Sequence, residues 1–216
     1  MPLELYLNVL SILLDADAAD VPTAAEAPSE SVPQPDASAN HDRPARRRLR
    51  SITSATTLFG LTNQAATRTI LRATAETLAV RPGYLHQAAE LAATAVDLNA
   101  DPERVTDELA RLAQLAAGRP GPAAAAAAAL LQRITHRDPW NPPSVLTAAR
   151  QLASRPDPAA GLIATRLLSV AGPQLSWPGP WRAVIGTLRT HPDPDVAELA
   201  LDVDLDVDLD MEAWTA

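Results

Sequence analysis

The chain has 216 residues and a formal net charge of −8. It has no cysteine, and its eighteen basic residues are all arginine. Disulfides, thiolate chemistry and cysteine metal sites are therefore excluded, as are Schiff-base lysine catalysis and a phosphate-loop lysine. The length allows one domain of about 150 residues plus tails, and scarce aromatics leave Leu, Ala, Val and Ile to build its core.

The charge is unevenly placed. Residues 1–42 contribute −8, residues 43–50 +5, residues 51–200 +1 and residues 201–216 −6. A near-neutral body disfavours a grip on DNA or RNA, which needs a concentrated basic face. Charge-driven contacts are expected in the tails.

In residues 1–15, Leu3, Tyr6, Leu7, Leu10, Leu13 and Leu14 form one helical face, although Leu3, Leu5, Leu7 and Val9 also alternate as in a strand. The run is too short to span a bilayer. Ala16-Asp17-Ala18 has the form of a signal cleavage site, but Glu4 and the lack of a basic leader argue against secretion, so a cytoplasmic location is expected. This helix either docks on the body or binds a partner. Residues 16–50 read as a disordered linker rich in Ala, Pro and acids, ending in an arginine cluster. That cluster, Arg43, Arg46, Arg47, Arg48 and Arg50, is a basic arm for nucleic acid or anionic lipid, a solvated charge run, or a partner for the chain's own acidic tail.

Apolar spacing predicts eight helices within residues 51–201. They cover 63–80, 84–98, a third opening at Asp101-Pro102-Glu103, a fourth from Ala123 through Ile134, then 144–154, 159–171, 180–190 and 195–201. The alanine-rich fourth should lie close to its neighbours. Between helices, Arg81-Pro82-Gly83, Arg119-Pro120-Gly121, Arg155-Pro156-Asp157 and His191-Pro192-Asp193 recur at spacings of 38, 36 and 36 residues. Such a period marks stacked supersecondary units. Asp157 and Asp193 precede prolines and are expected to be N-caps, and His191 is read as a capping residue. Trp140, Trp177 and Trp181 fall at unit junctions, where they cover gaps or serve as binding anchors.

Arg189-Thr190-His191-Pro192-Asp193-Pro194-Asp195-Val196-Ala197-Glu198-Leu199-Ala200-Leu201 resembles the turn and second helix of HEAT and armadillo-like α-solenoids. Ala197 stands where that family usually has arginine, and the other three units lack the Asp-Val pair. The resemblance covers roughly residues 60–201. It implies an all-α fold, a short right-handed α-solenoid of about four antiparallel helix pairs, and a curved surface used as a scaffold.

The C-terminal segment, residues 202–216, is acidic and begins with a strict alternation. Asp202, Asp204, Asp206, Asp208 and Asp210 fall on one face, and Val203, Leu205, Val207 and Leu209 on the other, if the segment is extended. Strand addition to a partner's sheet edge is one use; a solvated or self-docked tail is another. A helix-loop-helix calcium site is disfavoured, because Val207 stands where glycine is needed and Ala213 where the bidentate glutamate belongs.

No catalytic constellation emerges. His41, His86, His136 and His191 occur singly, without metal-ligand spacing, and no nucleophile elbow or glycine-rich phosphate loop is present. The expected function is non-enzymatic: a scaffold or adaptor for a protein partner, a basic partner being the natural match for the acidic tail, with no cofactor. The alternatives are a HEAT-like DNA glycosylase or nucleic-acid-binding protein, and a regulatory subunit whose acidic tail masks a basic partner.

Overall fold

The computed structural model describes residues 47, 49, 61–135 and 139–203. The N-terminal helix reading, the linker, Arg43, Arg46, Arg48, Arg50, His136 and the tail from Asp204 onward lie outside the described residues.

The described chain is all-α, without strands. Its helices are α1 (Ala65–Ala79), α2 (Leu85–Thr94), α3 (Pro102–Ala116), α4 (Pro120–Thr135), α5 (Pro142–Ala153), α6 (Pro158–Gln174), α7 (Gly179–Leu188) and α8 (Pro194–Leu201). Most begin at or beside a proline, whose missing N–H costs nothing in a first turn. Asp101, Asp157 and Asp193 cap α3, α6 and α8 by accepting from Arg104, Ala160 and Asp195/Val196 backbone N–H groups, which satisfies donors a helix start otherwise leaves open. Several boundaries differ from expectation by two or more residues, and two of them have a local cause. Helix α2 stops at Thr94 rather than residue 98, because Ala95 to Leu98 turn inward and bury Val96 and Leu98. Helix α4 starts at Pro120, three residues early, because its two prolines both fit the first turn.

The helices form two rows. Helices α2, α4, α6 and α8 pack in succession, as do α3, α5 and α7, and α1 lies on α2. One continuous core, from Ala89 to Val203, runs through most of the body, and a smaller one gathers Leu49, Leu71, Ala75, Leu78, Tyr84, Ala88, Leu91 and Ala95. The alanines of α4 have the effect expected of small side chains: Ala123, Ala125, Ala126, Ala127 and Ala129 are buried, and α4 lies most intimately against α2.

Guanidinium groups do much of the stitching. Arg133, fully buried on α4, donates to the carbonyls of Ala93 and Val96 at the end of α2. Arg189 donates to the carbonyls of Ala200 (3.2 Å) and Val203 (3.0 Å) at the end of α8. Both satisfy carbonyls at a helix C-terminus, where the helix dipole also favours a cation.

The junction tryptophans are covered. Trp177 and Trp181 are buried, and Trp140 meets Trp181 edge-to-face at 6.1 Å between centroids. Ser176 and Trp177 adopt left-handed backbone (φ 55° and 46°), folding the Trp177 ring into the space a side chain at Gly172 would fill.

Candidate functional site

The row of α3, α5 and α7 does not extend to α1. Helices α1 and α3 barely touch, and a groove of about 180 Å³ opens between them. Its walls are repeat-equivalent: Arg72, Ala75, Glu76 and Ala79 from α1 face Glu108, Arg111, Leu112 and Leu115 from α3, each pair 36 residues apart. Both sets follow the i, i+3, i+4, i+7 spacing of one helical face. Ala92 and Val96 form the floor. Ala75 is buried in the smaller core, and Ala79 and Leu115 are half-buried against that same core.

Ionic bonds hold the two walls in register. Glu108, only 9% exposed, accepts from Arg72 Nη2 at 2.7 Å and Arg104 Nε at 3.3 Å through one oxygen, and from the Asp97 backbone N–H at 2.8 Å through the other. Arg68 pairs with Asp97 at 2.7 Å and donates to the Thr62 carbonyl at 2.9 Å. Arg72 and Arg104 are thereby committed to Glu108. The exposed charges left along this face are Glu76, Glu103, Asp107 and Arg111, an acidic excess. Val80, next to groove residue Ala79, is 80% exposed, unlike most large aliphatic side chains of the body.

A second groove, of about 360 Å³, lies between α6 and the end of α8, lined by Thr165, Arg166, Ser169, Pro173, Leu199, Asp202 and Val203. It receives the start of the acidic alternation. Asp202 is exposed, whereas Val203 is buried in the main core. The remaining rungs, Asp204 to Asp210, lie outside the described residues. Of the arginine cluster, Arg47 is helical and exposed, and Leu49 beside it is buried in the smaller core.

His191 takes part in capping. Its Nδ1 accepts from the Asp193 N–H at 3.1 Å, and its Nε2 lies 2.9 Å from the Arg155 carbonyl oxygen. Among the described residues no group of three or more His, Asp or Glu side chains is placed to hold a metal ion, and no helix is long and apolar enough to cross a membrane.

Sequence reasoning did not find the α1/α3 groove. The available signal was the 36-residue step, which sets Ala79 opposite Leu115 and Arg72 opposite Glu108. Compared with family models, curated proteins and solved structures, the chain matches none.

Proposed function

We propose that the chain is a short right-handed α-solenoid of the HEAT or armadillo-like kind, with α1–α2, α3–α4, α5–α6 and α7–α8 as antiparallel pairs, and that it serves as a non-enzymatic protein-binding scaffold. The observation that carries the reading is the α1/α3 groove, an apolar slot fixed open between two ion-paired walls. A cavity of about 180 Å³ is smaller than the ~300–1,000 Å³ usual for small-molecule sites. It suits one large aliphatic or aromatic anchor from an amphipathic helix laid along the groove. The acids Glu76, Glu103 and Asp107 on the rim favour a partner helix with basic flanks.

The nucleic-acid reading draws little support from the body. Arg68, Arg72, Arg104, Arg133, Arg182 and Arg189 bond to carboxylates or carbonyls of the chain itself, so these guanidinium groups are engaged away from any phosphate.

The test is a photo-crosslinking amino acid placed at Leu115 of the full chain, with Arg150 on the exposed side of α5 as the comparison site, in extract from the native source. Crosslinks from position 115 that map to basic amphipathic helices, and that vanish in an Ala79→Arg background, support the proposal. Identical products from both positions, or products indifferent to Ala79→Arg, refute it.

A further inference from the structure

We propose that the helix bound in the α1/α3 groove runs antiparallel to both walls and carries its basic residues seven and eleven positions after its apolar anchor. The inference rests on the groove as a helix-binding site and adds a direction and a spacing to it.

The two walls point the same way. Arg72 reaches Glu108 at one level, and Ala79 and Leu115 line the groove seven residues further along each helix. Helices α1 and α3 therefore run parallel, with both N-termini at one end.

The charge changes along that axis. Past Arg72, Glu108 and Arg111 the slot continues toward the start of α3 as a shallow recess of about 420 Å³, lined also by Asp101, Glu103, Arg104 and Asp107. Asp101 caps α3, and Glu108 is shared by Arg72 and Arg104. Glu103 and Asp107 are exposed, and their carboxylates make no hydrogen bond or ion pair with the described residues. At the anchor level Glu76 and Arg111 stand on opposite walls and offset one another. Beyond Leu115 the exposed residues Ala117, Gly118 and Arg119 include no carboxylate. Cations are thus matched at one end of the groove and opposed by Arg119 at the other.

The spacing follows from helix geometry. Glu103 and Asp107 are four residues apart, or about 6 Å along the axis. Asp107 precedes the Leu112–Leu115 rim by five to eight residues, and Glu103 precedes it by nine to twelve. A helix lying alongside advances at the same rise per residue. An anchor seated between Leu112 and Leu115 therefore sets partner positions about seven and eleven residues away opposite Asp107 and Glu103. Positions i, i+7 and i+11 share one helical face, so a single helix can fill the slot and reach both acids.

The direction follows from dipoles. The recess lies at the positive N-terminal ends of α1 and α3, where the negative C-terminal end of a partner helix is favoured. Arginines are also stabilising in the last turns of the helix that carries them. Both effects place the arginines after the anchor. A partner in the opposite direction would bring its own positive end, together with its arginines, against two helix N-termini.

The test uses hydrocarbon-stapled, fluorescein-labelled helices matched in helicity by circular dichroism, titrated with the full chain at low salt and followed by anisotropy. One has a leucine anchor with arginines at i+7 and i+11; the other has the arginines at i−7 and i−11. The first should bind about fivefold more tightly, and Ala79→Arg should abolish binding of both. Asp107→Arg should remove the advantage of the first helix, and replacing its i+7 arginine by glutamate should restore binding to that variant. Equal binding of the two orders, both lost in Ala79→Arg, would leave the groove as a helix site and overturn the direction. Tighter binding of the reversed helix would overturn it as well. Binding of neither helix to the folded chain would overturn the groove reading, and this inference with it.

Discussion

His191 Nε2 lies 2.9 Å from the carbonyl oxygen of Arg155, exactly one 36-residue period earlier in the chain. The repeat turn of one unit is thus hydrogen-bonded to that of the unit before it. A carbonyl can only accept and the Asp193 N–H can only donate, so the ring carries its proton on Nε2 and accepts at Nδ1. His191→Ala removes both bonds and leaves the Arg155 carbonyl to a poorly hydrated site. Urea unfolding should show a loss of about 2–3 kcal/mol. His191→Arg, the residue type of the other three turns, should recover only part of this, because arginine has no acceptor for the Asp193 N–H.

Glycine 161 makes the same junction close. A Cβ there would lie 2.7 and 2.9 Å from the Val196 methyls and 3.2 Å from His191 Nε2. Gly161→Ala should therefore cost about 1–3 kcal/mol through overpacking. Gly186, inside α7 with open space around it, is the control. Gly186→Ala should be neutral or stabilise by about 0.5–1 kcal/mol, as read by thermal melting.

The buried guanidinium of Arg133 closes the end of α2. Arg133→Leu keeps the apolar contacts of the stem but leaves the Ala93 and Val96 carbonyls without this donor. The expected cost is about 3 kcal/mol in chemical denaturation. Amide exchange in α2 should accelerate more than in α7, which is remote from the change. A uniform rise across both helices would argue against a local capping role.

Glu108 positions the groove walls. Glu108→Gln loses the charge that Arg72 and Arg104 share, and should destabilise the chain by about 1–3 kcal/mol. A double-mutant cycle with Arg72→Ala should show coupling between the two positions. Additive losses would mean that the pair does not fix α1 against α3.

Most of the helical framework was legible in the chain because its punctuation is local. Proline sets φ and aspartate caps the next three residues whatever surrounds them, so Asp157-Pro158 and Asp193-Pro194 mark helix starts without knowledge of the tertiary structure. The end of α2 was not legible, since Val96 and Leu98 continue a helical apolar spacing while the chain turns to bury them. The arginine at 133 reads as an ordinary basic residue in a last turn; only the approach of α2 to α4 reveals its carbonyl partners. The groove depends on α1 and α3 not packing closely together, and nothing local to Ala79 distinguishes an alanine on a groove wall from one facing a neighbour. Val203 likewise belongs to the alternating acidic segment by sequence and to the main core by structure.

The central claim is that the α1/α3 groove takes an amphipathic helix with basic flanks. The most direct measurement is fluorescence anisotropy with two labelled synthetic helices of the same leucine-faced pattern, one flanked by arginines and one by glutamates. Each is titrated with the full chain and with the Ala79→Arg variant at low and high salt. The account predicts tighter binding of the arginine-flanked helix, weakened as salt screens the rim acids and lost in Ala79→Arg while the melting temperature is kept. Equal binding of both helices, or binding that Ala79→Arg leaves untouched, would contradict it.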